Sequence, residues 1–131
     1  MEVEELRIEN YVKYNGSVGY VYAISNPLPN SANNFNNKER VTLWCNGLIG
    51  ANITEIEPIP ITEELLLKCG FDEPCDGVYE HNYGDFEVTK EWENWWVTWN
   101  GGSDFWFRIK HIHQLQNAYY LVTGKELEIK L

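Results

Sequence analysis

The chain is short of cations. Its 131 residues hold 10 lysines and arginines against 20 acids, a formal net charge of −10. A protein that grips a nucleic-acid duplex needs a basic footprint to release counterions, and none is visible, so direct binding to nucleic acid is not expected. Long apolar runs are missing too. No stretch approaches the ~18 residues that mark a membrane-spanning helix, so no membrane association is expected. The amino terminus, MEVEELRIEN, is acidic, which fits neither a signal peptide nor a transit peptide and points to a cytoplasmic location. Serine occurs only at Ser17, Ser25, Ser31 and Ser103, in or beside turn sequences. There is no nucleophile elbow, no P-loop and no glycine-rich dinucleotide turn.

Cysteine is scarce and odd in number. Cys45, Cys69 and Cys75 make a poor disulfide framework, and reduced thiols are the cytoplasmic default. Cys69, Cys75 and His81 form a C-x5-C-x5-H string, but a zinc site would have to borrow a fourth ligand from His111 or His113. The carboxylates are plentiful, yet no apolar surround picks out one pair as acid and base. The reading is therefore of a protein with no catalytic residues, no metal and no cofactor.

What is present is material for a core. Apolar residues make up 44% and aromatic residues 15%, including 6 tryptophans and 8 tyrosines. A chain of this length buries roughly two-thirds of its unfolded surface without staples. One domain over 1–131 is expected, with a subdivision into a β-barrel-like half, 1–60, and a mixed half, 61–131, left open.

The pattern along the chain is mostly β. LRIENYVKY (6–14) and SVGYVYAIS (17–25) flank Asn15-Gly16, the strongest short hairpin signal. NPLPNSANNFNN (26–37) has no periodicity and reads as a long loop. ERVTLWCN (39–46) and Asn46-Gly47 open a second hairpin, whose return runs to about Glu57. Together these suggest a small SH3-like barrel or meander.

The prolines of EPIP (57–60) lead into Thr62, a good N-cap, with Glu63 and Glu64 in the first helical turn. Ile61 can close on Leu66 as a hydrophobic staple, Leu65 to Leu67 are expected to plug the core, and Gly70 ends this short helix.

Asp76-Gly77 and Tyr83-Gly84-Asp85 then punctuate a further meander. WWVTW (95–99) and FWFRI (105–109) form an aromatic hairpin. Trp95, Val97, Trp99, Phe105, Phe107 and Ile109 share one face, the core face. Trp96, Thr98, Trp106, Arg108 and Lys110 share the other. From Ile112 the spacing turns helical, through Leu115, Ala118, Tyr119 and Val122, with Gly124 as the stop. KELEIKL (125–131) reads as a last strand or extended tail. The fold class is α+β, predominantly antiparallel, with a short middle helix and one C-terminal helix.

Two groups of residues stand out as candidates for binding. The first is polar and aromatic: Trp96, Trp106 and Arg108 on the hairpin, with His113, Gln116, Asn117 and Tyr120 on the outward side of the last helix. His111 and His113 would lie about 160° apart if both were helical, which argues against a shared metal grip. The second group is acidic. Residues 72–103 carry Asp72, Glu73, Asp76, Glu80, Asp85, Glu87, Glu91 and Glu93 against one lysine, and several of these acids are expected to share a face. Such a face suits a basic protein partner, with solubility alone as the competing explanation. The tryptophans offer a stacking platform for a small ligand or carbohydrate as the alternative, and a metal-dependent enzyme built on the three histidines comes third.

Three blocks, LRIENYVKYNG (6–16), ITEIEPIPITEELLLKCGF (53–71) and HIHQLQNAYYLVTGKEL (111–127), carry a resemblance. They are similar to a family of small phage, prophage and mobile-element proteins of gut bacteria. The resemblance covers about half the chain. It brings no activity, cofactor or catalytic residue. It implies a bacterial cytoplasm, a mobile-element gene and an accessory role; the partner expected from the acidic charge is a host or phage protein with a basic surface. Neither the asparagine-rich loop nor the tryptophan-dense segment belongs to it.

Overall fold

A computed structural model describes residues 5–25, 40–81, 86–99 and 106–131. The chain divides into two compact units, Met1–Ile59 and Pro60–Leu131. The fold is α+β: antiparallel strands dominate, with one short helix and one C-terminal helix.

The first unit is a five-stranded half-barrel in the order β4-β3-β2-β1-β5. Its strands are β1 (Tyr11–Tyr14), β2 (Ser17–Ser25), β3 (Arg40–Trp44), β4 (Leu48–Asn52) and β5 (Ile56–Glu57). Asn15 and Gly16 both adopt positive φ, 49° and 78°, as a two-residue hairpin turn with this sequence requires. The register between β2 and β3 slips between Val21 and Ala23, which turns Tyr22 out to solvent and bends the sheet. Alternation then delivers Val12, Val21, Val41, Leu43, Ala51 and Ile56 to one side, where they form the core with Leu6. The 26–37 loop lies outside the described residues.

One strand expectation is corrected. Residues 6–14 do not run as a single strand, because the chain turns at 7–10 and β1 begins only at Tyr11. The Asn10 side chain accepts from the Arg7 N–H at 2.7 Å, the Asn10 N–H donates to the Arg7 carbonyl, and Glu9 takes a φ of 78°. A short amide side chain bonded to nearby backbone competes with strand formation. The turn stays anchored, since Glu9 N–H donates to Val21 O and Val21 N–H to Asn10 O.

The second unit holds two helices and a five-stranded antiparallel meander whose strands lie side by side in chain order. The helix α1 (Glu63–Lys68) starts where Thr62 accepts from the Leu65 N–H at 3.2 Å. Of its three leucines only Leu66 is buried, and Leu67 is 51% exposed. Consecutive helical residues point about 100° apart, so the expected Leu65 to Leu67 plug reduces to one side chain. The strands follow as β6 (Asp72–Cys75), β7 (Val78–His81), β8 (Phe86–Glu91), β9 (Asn94–Trp99) and β10 (Trp106–Ile109). Pro74 and the charged residues of β6 suit its position at the sheet edge. The final helix, α2 (Ile112–Thr123), ends at Gly124, whose φ of 72° lets its N–H reach the Tyr120 carbonyl at 2.8 Å.

Inward-facing strand residues Tyr79, Phe86, Val88, Trp95, Val97 and Ile109 are buried, and so are Ile112, Leu115, Ala118 and Tyr119 of α2. Tyr119 meets Phe86 and His81 edge-on, at ring separations of 5.2 and 5.1 Å. Beyond α2 the chain forms no strand and ends as an extended tail that buries Leu127.

Candidate functional site

The register of the second sheet lines up its acids. Asp72 pairs with Glu80, Glu80 with Glu87, and Glu87 with Thr98, so one row crosses four strands. Strand alternation puts Glu91 on the same face, two pleats from Glu87. The neighbouring row on that face runs Val78, Thr89, Trp96 and Arg108. Three carboxylates in direct register repel across the ladder, where each like-charged pair costs about 0.2–1 kcal/mol. Thr98, fully buried, donates its hydroxyl to Glu87 Oε2 at 3.1 Å, which fixes that carboxylate in place.

The remaining acids part company with this face. Glu73 alternates to the opposite side, where its Oε2 accepts from the Gly77 N–H at 3.2 Å. It also accepts from the Tyr79 hydroxyl. Burial first, then that bond and the nearby charges of Glu63, Glu73 and Asp76, push Tyr79 up to about 12. Asp76 sits in the β6–β7 turn and Glu93 in the β8–β9 turn. Asp85 lies outside the described residues.

Trp92, the other half of the β8–β9 turn, is 88% exposed. Its φ is 59°, in the left-handed region that glycine or asparagine usually fills and that costs a bulky residue roughly 1–2 kcal/mol. Sequence reasoning missed it, because it contributes to neither the turn chemistry nor the core pattern. The available signal was a tryptophan between two glutamates, separating two alternating strands.

The polar and aromatic candidates are scattered. Trp96 is half-buried and Arg108 exposed, on the acidic face. Trp106 pairs through its backbone with Thr98, and its side chain lies outside the described part. His113 and Gln116 are 1% exposed, so they belong to the buried side of α2 and do not share an outward face with Asn117 and Tyr120. Asn117 is half-buried and Tyr120 is 44% exposed. The buried stripe is wider than the apolar spacing indicated, since packing takes in polar side chains lying between apolar ones.

The two histidines also depart from expectation. His111 is the N-cap of α2, in extended conformation at φ −130° and ψ 156°, so its ring is not set by helical geometry. Its ring stacks on that of His113 at 5.7 Å and 8°, where a separation of about 160° around the helix had been expected. Parallel stacked rings do not converge on a point, as a chelate requires. Gln114 starts the helix instead: its Oε1 accepts from the N–H groups of Lys110 and His111 at 2.7 and 3.1 Å. Pro60 bridges to His111 and the Ile61 N–H donates to Lys110 O, tying the helix start to the segment before α1.

A cleft of about 490 Å³ opens beside the end of α1 and is lined by Cys69, Gly70, His81, Tyr119 and residues of the tail. The Tyr119 hydroxyl and His81 Nδ1 lie 3.3 Å apart. Burial lowers the His81 pKa against the opposing pull of Asp72. The Cys69 thiol is pushed up by burial, with the Lys130 backbone N–H acting the other way, which is the wrong direction for a nucleophile. Cys45, Cys69 and Cys75 are all free thiols. Among the described residues, no group of three or more His, Cys, Asp or Glu side chains could hold a metal ion, and no helix is long and apolar enough to cross a membrane.

Set against protein-family models, curated proteins and solved structures, the chain matches none of them. The site must therefore be read from its own chemistry, and the feature that most needs explaining is the carboxylate row with the exposed tryptophan at the end of its strand.

Proposed function

We propose that the protein is a non-catalytic binding factor that occupies a basic surface of another protein. This is an accessory role of the kind its resemblance to phage and mobile-element proteins implies. The observation that carries the reading is the registered row Asp72, Glu80 and Glu87, continued by Glu91 on one face of the second sheet. Acids needed only for solubility work equally well when scattered, whereas a row in register concentrates negative potential at the expense of the sheet's own stability. A concentrated field steers encounter with a basic surface, such as the nucleic-acid channel of a host protein.

The test is partner capture from host lysate, followed by kinetics with each captured protein. Wild type is compared with a Glu80→Lys, Glu91→Lys variant. Glu87 is left intact because it accepts the buried Thr98 hydroxyl. Charge reversal should slow association far more than it speeds dissociation. The difference should shrink toward ~0.5 M salt, where screening reaches only a few ångströms. Identical capture and identical association rates for the two proteins would refute the reading.

A further inference from the structure

We infer that the β8–β9 hairpin tip is an arginine-recognition element, in which Trp92 stacks on guanidinium groups of the partner while Glu91 and Glu93 pair with them. The inference rests on the proposed binding of a basic protein and names which cation that protein presents. Trp92 is the most exposed of the tryptophans whose side chains are described: Trp44 is 44% and Trp95 7% exposed, and Trp96 is half-buried. An indole 88% exposed leaves its ring open to a planar partner. Its position gives it no structural task. It packs in no core, and its φ of 59° would suit glycine better.

The flanking chemistry selects among partners. Glu91 and Glu93 bracket Trp92 in sequence, so an apolar pocket without charge at its rim would have to desolvate two carboxylates to admit the ring. A cation removes that penalty. Lysine is a compact, strongly hydrated point charge, whereas the arginine guanidinium is planar and less hydrated, stacks on aromatic faces and pairs bidentately with carboxylates. A tryptophan face between two glutamates therefore favours arginine. Glu91 also joins the tip to the acidic face, which extends from it along β8 to Glu87.

The experiment titrates the full chain with oligo-arginine and oligo-lysine peptides of equal length, by calorimetry at low salt. Wild type should bind oligo-arginine more tightly by about two- to five-fold, the factor expected of a cation–π contact at an exposed site. Trp92→Gly should weaken oligo-arginine more than oligo-lysine and so lose the arginine preference. Its melting temperature should be no lower than that of wild type, because glycine accepts the turn conformation. Trp92→Phe should retain part of the preference. Equal affinities in wild type, or a preference surviving in Trp92→Gly, would overturn the arginine assignment. In that case the acidic-face reading still stands if Glu80→Lys, Glu91→Lys weakens both peptides. If neither peptide binds wild type, both readings fall together.

Discussion

Replacing Glu80 by glutamine should stabilise the protein, and by an amount that salt controls. Glu80 is the middle carboxylate of the row, opposite Asp72 on one side and Glu87 on the other. Directly opposed residues have Cβ atoms about 4.5–5.5 Å apart, which sets the carboxylates about 6 Å from one another. In a water-like dielectric Coulomb's law then gives about 0.7 kcal/mol of repulsion per neighbour. Two neighbours make about 1.4 kcal/mol before screening. With a Debye length of about 30 Å at 0.01 M salt most of this survives, about 1.1 kcal/mol. At 0.15 M about half survives, and at 1 M, where the length is about 3 Å, roughly 0.2 kcal/mol is left.

Glutamine keeps the shape and removes the charge, so the melting temperature should rise by about 4 °C or more at low salt and converge on wild type at high salt. Glu93→Gln is the control. It removes the same single charge from a turn outside the row, so it reports the relief of net charge alone. Thermal melts of the three proteins across the salt series decide the matter. Equal melting temperatures for wild type and Glu80→Gln at 0.01 M, or a gain no larger than that of Glu93→Gln, would show that the row is not a repulsive ladder.

Three further outcomes are expected. Leu115 is fully buried on α2, so Leu115→Ala should cost about 2–5 kcal/mol in denaturant unfolding, and a loss below about 0.5 kcal/mol would mean that α2 does not cover a core. Gly19→Ala should destabilise the half-barrel by about 1–3 kcal/mol, because an added Cβ would stand 2.8 Å from the Trp44 carbonyl oxygen, and an unchanged melting temperature would show that β3 can yield there. Burial lowers the folded-state pKa of His81 beneath 6.5, so its contribution is present above that pH and is lost as pH falls through the folded value; His81→Gln should flatten the decline in stability below pH 6.5, and an unchanged slope would remove His81 as its source.

How much of this was legible in the sequence depended on whether a feature is decided locally. Asn15-Gly16 sets its own dihedrals, so the first hairpin could be read directly, and the Thr62 cap marked the start of α1. The two faces of the 95–109 hairpin also followed from alternation, and the register then sets Trp95 opposite Ile109 and Trp96 opposite Arg108. The turn at 7–10 was hidden because Asn10, an ordinary strand-edge residue by composition, bonds back onto Arg7 while Val21 holds the turn from outside. His113 and Gln116 looked like an outward polar face because helical spacing tells apolar from polar, and packing decides which polar groups go inside. The acidic face was half legible. Parity puts Glu87 and Glu91 together on one strand, but only the inter-strand register sets Asp72 opposite Glu80 and Glu80 opposite Glu87.

Register also explains why Trp92 and the acids belong to one argument. The pairing of Phe86 with Trp99 through to Glu91 with Asn94 leaves Trp92 and Glu93 as the only residues available to reverse the chain. Buried Phe86 and Val88 on β8, with Trp95 and Val97 on β9, enforce that register, since a slip of one residue in either strand would turn its buried pair outward. The core thus holds an unsuitable turn residue and a repulsive carboxylate row in place, each at a cost to the structure that carries it. Sequences that satisfy local rules almost everywhere break them where another requirement competes, and two such breaks meet on β8, which carries Glu87 of the row and leads into Trp92. Both face solvent, and their chemistries match a single kind of counterpart: a cationic surface with planar groups to stack. Solubility would explain the number of carboxylates but not their register. It does not explain a tryptophan held in the left-handed region at their edge, which lowers solubility and strains the turn together.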